Sequence, residues 1–309
     1  MIAIIVPFFN AADTLPRLIS ALKAQLCTEF VALFVDDMST DDGASIIAAS
    51  QDSRFIVLNG CHRGPGAARN IGLDKADELR VEYISFVDAD DIPHPEMLNE
   101  AKNRLESSGA DIVHFEWSSS YNGLPNPDSI GRPSIHVWNK LYRRQAITGI
   151  RFIDSLFAED LAFFIETECR NVRRTQVLRP LYTHVLRPGS LWETRDPALM
   201  DASLRKVVVY VNNLMCGISN VKLRRQWYGF YLTKLLKQWL RALECSQGDI
   251  RCELLHGFDI FLRGLIADGL LNPFRVGGKN FRRCLSLRLK AFTLHRRAHS
   301  EWKKQDSIF

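Results

Sequence analysis

Three short segments concentrate groups that can do chemistry. One reads Ile84-Ser85-Phe86-Val87-Asp88-Ala89-Asp90-Asp91, three carboxylates in four residues after an apolar run. Carboxylates so close repel one another, and a purely structural role is costly unless a cation is present. Their hard oxygens suit Mg2+ or Mn2+, which keep water and borrow phosphate oxygens from a substrate. The plainer reading is a solvated acidic turn before the helix that follows Pro93 and Pro95. A second apolar run, Leu33-Phe34-Val35, ends in Asp36 and Asp37 and continues Met38-Ser39-Thr40-Asp41. At the carboxyl edge of a parallel sheet, where open α/β sheets bind ligands, such a carboxylate can accept from a uracil N–H or a ribose hydroxyl. Helix capping is the alternative, and Asp41 fits it. The third segment is Arg63-Gly64-Pro65-Gly66-Ala67-Ala68-Arg69-Asn70. Small residues at a helix start admit a ligand to the backbone, and amides with an arginine suit phosphate; an ordinary tight turn would look the same. The segment does not follow the first strand, and Arg69 stands where a third glycine would. A dinucleotide-binding dehydrogenase therefore fits poorly.

These segments need a scaffold that brings them to one edge. Apolar runs at residues 2–9, 30–35, 55–58, 83–87 and 111–115 read as strands. They alternate with helical patterns at 14–25, started by Asp13 or Thr14, and at 41–50, 66–76 and 96–105. Short buried strands separated by helices predict a mostly parallel sheet covered on both faces. Residues 118–134, rich in Ser, Gly, Pro and Asn, predict a surface loop. Residues 138–195 are mixed, and 201–216, 221–243, 250–267 and 279–295 look helical. The alternating pattern ends at about 115, and the mixed stretch beyond it runs to about 195. A helical, basic region over 196–309 follows.

Composition narrows the class. At 309 residues, 46% hydrophobic and 24% charged, the chain is ordinary for a globular protein. A net charge of +5 does not argue for nucleic acid. Seven cysteines without regular spacing suggest neither a disulfide framework nor a zinc ribbon, and the expectation is cytoplasmic. No secretory signal or apolar run long enough to span a bilayer is seen. Residues 279–304 hold nine Lys or Arg against one Glu, interleaved with apolar residues. Such a helix packs on its neighbours or rests peripherally on an anionic membrane surface.

Taken in order, IIVPFFN, VDDMSTDD, GPGAARN and FVDADD resemble glycosyltransferase family 2, the large inverting family with the GT-A fold. The resemblance runs on through Val137-Trp138-Asn139-Lys140-Leu141-Tyr142-Arg143, Ala158-Glu159-Asp160 and Leu186-Arg187-Pro188-Gly189-Ser190, about residues 1–195. Met38 stands where Gly is frequent, and the connection from Phe115 to Trp138 is short. The resemblance implies an α/β GT-A fold, Rossmann-like, with a mostly parallel sheet and a helical C-terminal extension: a catalytic domain over 1–195, its nucleotide-binding half to about 115 and its acceptor half beyond, followed by the basic region over 196–309. It implies transfer from a nucleotide-sugar donor, a UDP-sugar, to a saccharide or lipid-linked saccharide acceptor in surface polysaccharide, lipopolysaccharide or capsule synthesis. Asp37 would contact the base with Asp36 beside it, and Pro7 belongs to the same donor set. Asp88 and Asp90 would form the DXD pair that meets ribose and Mg2+ or Mn2+, with Asp91 in support. Asp160 would be the general base, with Glu159 the alternate. A base with a pKa raised by partial burial would take the acceptor proton.

Several residues stay open. Arg69 and Arg187 suit the diphosphate, and His184 would complete a metal or diphosphate site or serve structurally. Trp138 would stack on an acceptor sugar or sit in the core. Lys140 or Arg143 would meet phosphate or water. A sugar nucleotidyltransferase would want a basic Gly-rich loop after the first strand, which residues 7–13 lack. A catalytically inactive sugar-nucleotide-binding scaffold is disfavoured by intact Asp88, Asp90 and Asp160.

Overall fold

The computed structural model describes residues 1–121, 124–131, 135–170, 172–187 and 197–220, with Tyr231, Lys234, Arg282 and Ser286 as single helical positions. The chain divides into two compact units, Met1–Ser190 and Leu191–Phe309.

In the first unit the apolar runs become strands where they are buried on both faces. Every residue of β1 (Ile2–Phe8) is buried, and β2 (Phe30–Asp36) loses burial only at Asp36. They pair in parallel, Ile2 with Phe30 through Phe8 with Asp36. β3 (Phe55–Asn59) adds in parallel to β2, and β4 (Tyr83–Phe86) to the other side of β1. The helices follow their apolar spacing. α1 (Leu15–Lys23) buries Leu15, Leu18, Ile19 and Leu22. α2 (Gly43–Ala49) follows β2, and α3 (Pro65–Glu78) follows β3 and starts at a proline, whose missing N–H costs nothing there. α4 (Met97–Ser108) stops at Gly109 in the left-handed region, φ 63°.

Beyond the two-residue β5 (Ile92–Pro93), one sequence expectation fails. The Ser-rich stretch is not a loop. β6 (Ile112–Tyr121) continues through Ser118–Ser120 and pairs with β7 (Leu124–Gly131) and with β9 (Arg174–Leu186). Partners on both sides take up the backbone hydrogen bonds, so pairing overrides the weak strand preference of serine. The expected parallel sheet is present, with antiparallel pairings added through β5, β7 and β8 (Lys140–Arg143). Its order is β3-β2-β1-β4-β8-β6-β9-β5, with β7 paired to β6. β8 runs antiparallel to both β4 and β6, whereas β6 and β9 are parallel. α5 (Glu159–Cys169) lies between β8 and β9 in sequence.

Two buried clusters hold the sheet. One gathers Ile4, Phe34, Tyr83, Leu98 and Trp138, the other Ile5, Leu33, Leu73, Phe86 and Phe163. In the second unit, α6 (Pro197–Cys216) buries Met200, Leu204, Val207, Val211 and Met215 at helical spacing. The helices expected at 221–243, 250–267 and 279–295, and the basic face among them, lie outside the described residues. Among the described residues no helix is long and apolar enough to cross a membrane.

Candidate active site

Strand direction decides what can meet. β1, β2 and β4 are parallel, and two antiparallel steps through β8 return β6 and β9 to the same sense. One edge of the sheet therefore carries the ends of β1, β2, β4 and β9, together with the segment that enters β8. Asp36, Asp37, the acidic turn, His184, Arg187 and residues 136–139 all belong to that edge.

At the end of β2, Asp37 is 6% exposed, and its carboxylate accepts the backbone N–H groups of Arg63 (3.2 Å) and Gly64 (2.8 Å). The amides read as phosphate ligands are thus already held by Asp37. Gly64 has φ 86°, which favours glycine, and a Cβ on Gly66 would lie 2.8 Å from the Ile153 carbonyl oxygen. This glycine pair lets the segment leading into α5 approach α3. Asp36 accepts from the Ser39 amide at 2.8 Å. Asp41 accepts the Gly43 amide at the head of α2 and also the Ala12 amide. Pro7 is buried within β1, in register with Val35.

The acidic turn at the end of β4 is tied down group by group. Asp91 is fully buried and accepts the Val185 amide at 2.8 Å. Burial, with Asp88 and Asp90 beside it, pushes its carboxyl well above the ordinary range. The Tyr182 hydroxyl accepts the Asp88 amide at 3.1 Å, and burial keeps that phenol protonated. Asp90 accepts from Arg187 Nε at 2.7 Å. Asp88 and Asp90 keep 29% and 22% of their side chains exposed. His184 lies parallel to the Trp138 ring, centroids 5.6 Å apart. Burial pulls its imidazole below the usual histidine range, against the opposing pull of Asp88 and Asp90.

Arg69 joins this turn to α5. Its guanidinium, 6% exposed, donates to Asp88 at 2.8 Å and to Glu159 at 2.7 Å. Glu159 is buried, and burial, with Asp160 adding to it, raises its carboxyl to about 7 despite Arg69. Asp160 is more open, 22% exposed. Its Oδ1 accepts the Leu161 amide at 2.7 Å, and its Oδ2 lies 3.6 Å from His136 Nδ1. Burial pushes Asp160 up, but His136, Arg69 and the Leu161 amide together hold it below the ordinary aspartate range. The raised pKa expected of Asp160 therefore belongs to its neighbour, because Asp160 has His136, Arg69 and the Leu161 amide to hold its carboxylate.

Other candidates are taken up by packing and internal hydrogen bonds. Trp138 is 5% exposed and stacks on Tyr182 at 4.8 Å, which makes it a core residue. Lys140 is 1% exposed, and Arg143 lies over the Tyr83 ring and donates to the Ala110 carbonyl. Three residues absent from the sequence reading also stand at this edge. Phe9, one position beyond buried Phe8, is 46% exposed with its ring 5.0 Å from that of His62. His136 faces Asp160. Phe9 lies just beyond the run that β1 buries, and nothing in the sequence marked it or the two histidines.

Asp88 and Asp90 offer the donors that Mg2+ or Mn2+ takes. Each is part-exposed and ion-paired to an arginine, so the turn already attracts positive charge. A neutral His184 has the form that ligates metal. Among the described residues, no three His, Cys, Asp or Glu side chains are gathered as a ready-made metal cluster. Two carboxylates with substrate phosphate and water are enough for such an ion.

The geometry has counterparts in known proteins. The family model described as Glycosyl transferase family 2 matches residues 3–158. The succinoglycan biosynthesis protein ExoO of Rhizobium meliloti (strain 1021) is 34% identical over 113 residues, covering 36% of this chain and 32% of that protein. The chain thus spans about a third of that relative's length. Among solved structures, S. aureus TarS 1–349 in complex with UDP-GlcNAc superposes with a TM-score of 0.56 at 19% identity, covering 94% of this chain and 92% of that one. A mannosyltransferase from Pyrobaculum calidifontis in complex with GDP-Man and Mn2+ gives 0.54 at 13% identity, covering 94% and 86%. These likenesses show the GT-A fold. The family model takes in half of the chain and stops one residue short of Glu159, where the fold likeness carries on; the chain belongs to glycosyl transferase family 2.

Proposed function

We propose that this glycosyltransferase moves a sugar, with inversion at its anomeric carbon, from a UDP-linked donor to a hydroxyl of a saccharide or lipid-linked saccharide. The observation that carries the proposal is Arg69, whose one guanidinium bonds Asp88 of the acidic turn and Glu159 at the start of α5. A donor-side carboxylate and an acceptor-side carboxylate pair thereby share one cation, which suits a reaction between two substrates held at adjoining subsites.

Asp36 and Asp37 would receive the uracil and ribose, with the exposed Phe9 ring as a stacking surface. Asp88 and Asp90, with His184, would hold Mg2+ or Mn2+. When bound, that ion would neutralise the charge that grows on the departing diphosphate. Arg187 sits at Asp90 and would turn to the diphosphate oxygens. The acceptor oxygen forms its bond to the anomeric carbon as the bond to the diphosphate breaks, and its proton passes to Asp160. Asp160 is chosen over Glu159 because it is open, whereas Glu159 is buried against Arg69; access precedes basicity in selecting a base. That ExoO is named for succinoglycan biosynthesis and that TarS was solved with UDP-GlcNAc support a role in surface polysaccharide synthesis.

The test is slow hydrolysis of a panel of UDP-sugars with and without Mn2+. At least one should be hydrolysed in a metal-dependent manner, and Asp90→Asn should lower that rate by about 10²–10³-fold. Wild-type rate and metal response in the variant would remove the DXD assignment. Nucleotide binding without turnover of any sugar would instead favour a scaffold.

A further inference from the structure

The segment His136-Val137-Trp138-Asn139-Lys140 is built with more care than a connection into β8 requires. Lys140, 1% exposed, donates its ammonium to the Asn139 side chain at 2.8 Å and to the backbone carbonyl of His136. Asn139 is fully buried and donates to the Phe115 carbonyl at 3.2 Å. The His136 ring stacks on Trp138 with centroids 4.8 Å apart and planes 11° from parallel. Trp138 is itself stacked on Tyr182, whose hydroxyl accepts the amide of Asp88. The backbone and the ring of one part-exposed histidine are thus both fixed by buried groups, and its Nδ1 faces Asp160 Oδ2 at 3.6 Å. Burying a lysine to anchor one carbonyl is costly unless the anchored residue must be held in place.

We propose that His136 is the positioning residue for Asp160, fixing the carboxylate through Oδ2 while the Leu161 amide holds Oδ1, so that the base meets the acceptor hydroxyl in one orientation. This rests on the assignment of Asp160 as the base. The titratable groups around Asp160 are His136 from the segment before β8, Arg69 from α3, its neighbour Glu159 on α5 and, through space, Lys140 and Tyr142 of β8. Arg69 is committed to Asp88 and Glu159, so His136 is the partner that can be exchanged without breaking the buried trio. Its exposure of 38% makes substitution tolerable to the fold.

The experiment compares wild type, His136→Ala, His136→Gln and Asp160→Asn with the UDP-sugar that wild type hydrolyses fastest. His136→Ala should bind UDP with unchanged affinity and leave the donor KM unchanged. Its kcat should fall about 10- to 100-fold. The acid limb of its kcat profile should move to higher pH, because a group favouring the ionised carboxylate is gone. His136→Gln, whose amide can still donate, should recover part of the rate. In parallel, the Asp160 carboxyl carbon, identified by its loss in Asp160→Asn, should titrate at higher pH in His136→Ala by NMR. That measurement needs no turnover. An unmoved carboxyl titration, or wild-type kcat and acid limb in His136→Ala, overturns the role of His136 alone. Wild-type turnover in Asp160→Asn overturns the base assignment and this role with it.

Discussion

Lys140 carries the most consequential single pKa in the catalytic unit. Burial, opposed by Asp160 and Glu168, draws its ammonium down from 10.5 to about 7. Across from it in register, His114 is pushed down to about 3 by burial and by the charges of Lys140 and Arg174, so it stays neutral. Between about 7 and 10.5 the unfolded chain holds a proton on Lys140 that the folded chain has given up. Stability should therefore rise with pH across that window, with a slope of up to about 1.4 kcal/mol per pH unit. The same contribution disappears as pH falls back through the folded value. Urea unfolding of wild type and Lys140→Met at pH 7, 8 and 9 checks this. The two should diverge as pH rises, and parallel stabilities would show that Lys140 stays charged in the fold. Sequence left Lys140 to meet phosphate or water, and only the strands on either side of β8 show why it is buried instead.

Among the elements, α3 shows how tightly the sheet and its cover fit. A Cβ on Gly72 would come 2.4 Å from Cγ2 of Ile5, a fully buried residue of β1. Gly72→Ala should destabilise the protein by about 1–3 kcal/mol through overpacking, offset in part by the roughly 1 kcal/mol by which alanine exceeds glycine in a helix. A lower urea midpoint at constant m-value is the expected result, and a raised midpoint would mean that Ile5 yields. The elements of the first half were legible because each is a buried apolar run or a helix with one apolar stripe. The boundaries read at 30–35 and 66–76 fall within one or two residues of β2 and α3. The second half was not legible for two reasons. β6 crosses a Ser-rich stretch that takes its order from its partners, and β8 is four residues long with a fully buried lysine at its first position. The site followed the same division: the carboxylates stood out in sequence, while His136 became visible only when β8 brought it to α5.

At the scale of the catalytic unit, the contact that joins the acidic turn to the start of α5 is the trio Asp88, Arg69 and Glu159, bonded at 2.8 and 2.7 Å. Removing one carboxylate leaves Arg69 with a partner; removing both leaves a buried guanidinium alone, which is strongly unfavourable. A double-mutant cycle on Asp88→Asn and Glu159→Gln should thus be non-additive in stability. The double variant should lose about 1–3 kcal/mol more than the sum of the single variants. Additive losses would mean that solvent reaches Arg69 when the pair is gone. The same trio has a meaning for descent. A lineage that exchanges Arg69 for a neutral residue strands two acids at once, and one that loses both acids strands the arginine. These three positions, 90 residues apart at their widest, can drift only by passing through an impaired ancestor or by changing together. They form a single heritable character, against which Phe9, His62 and the exposed rim are free to vary with the substrates a descendant comes to use.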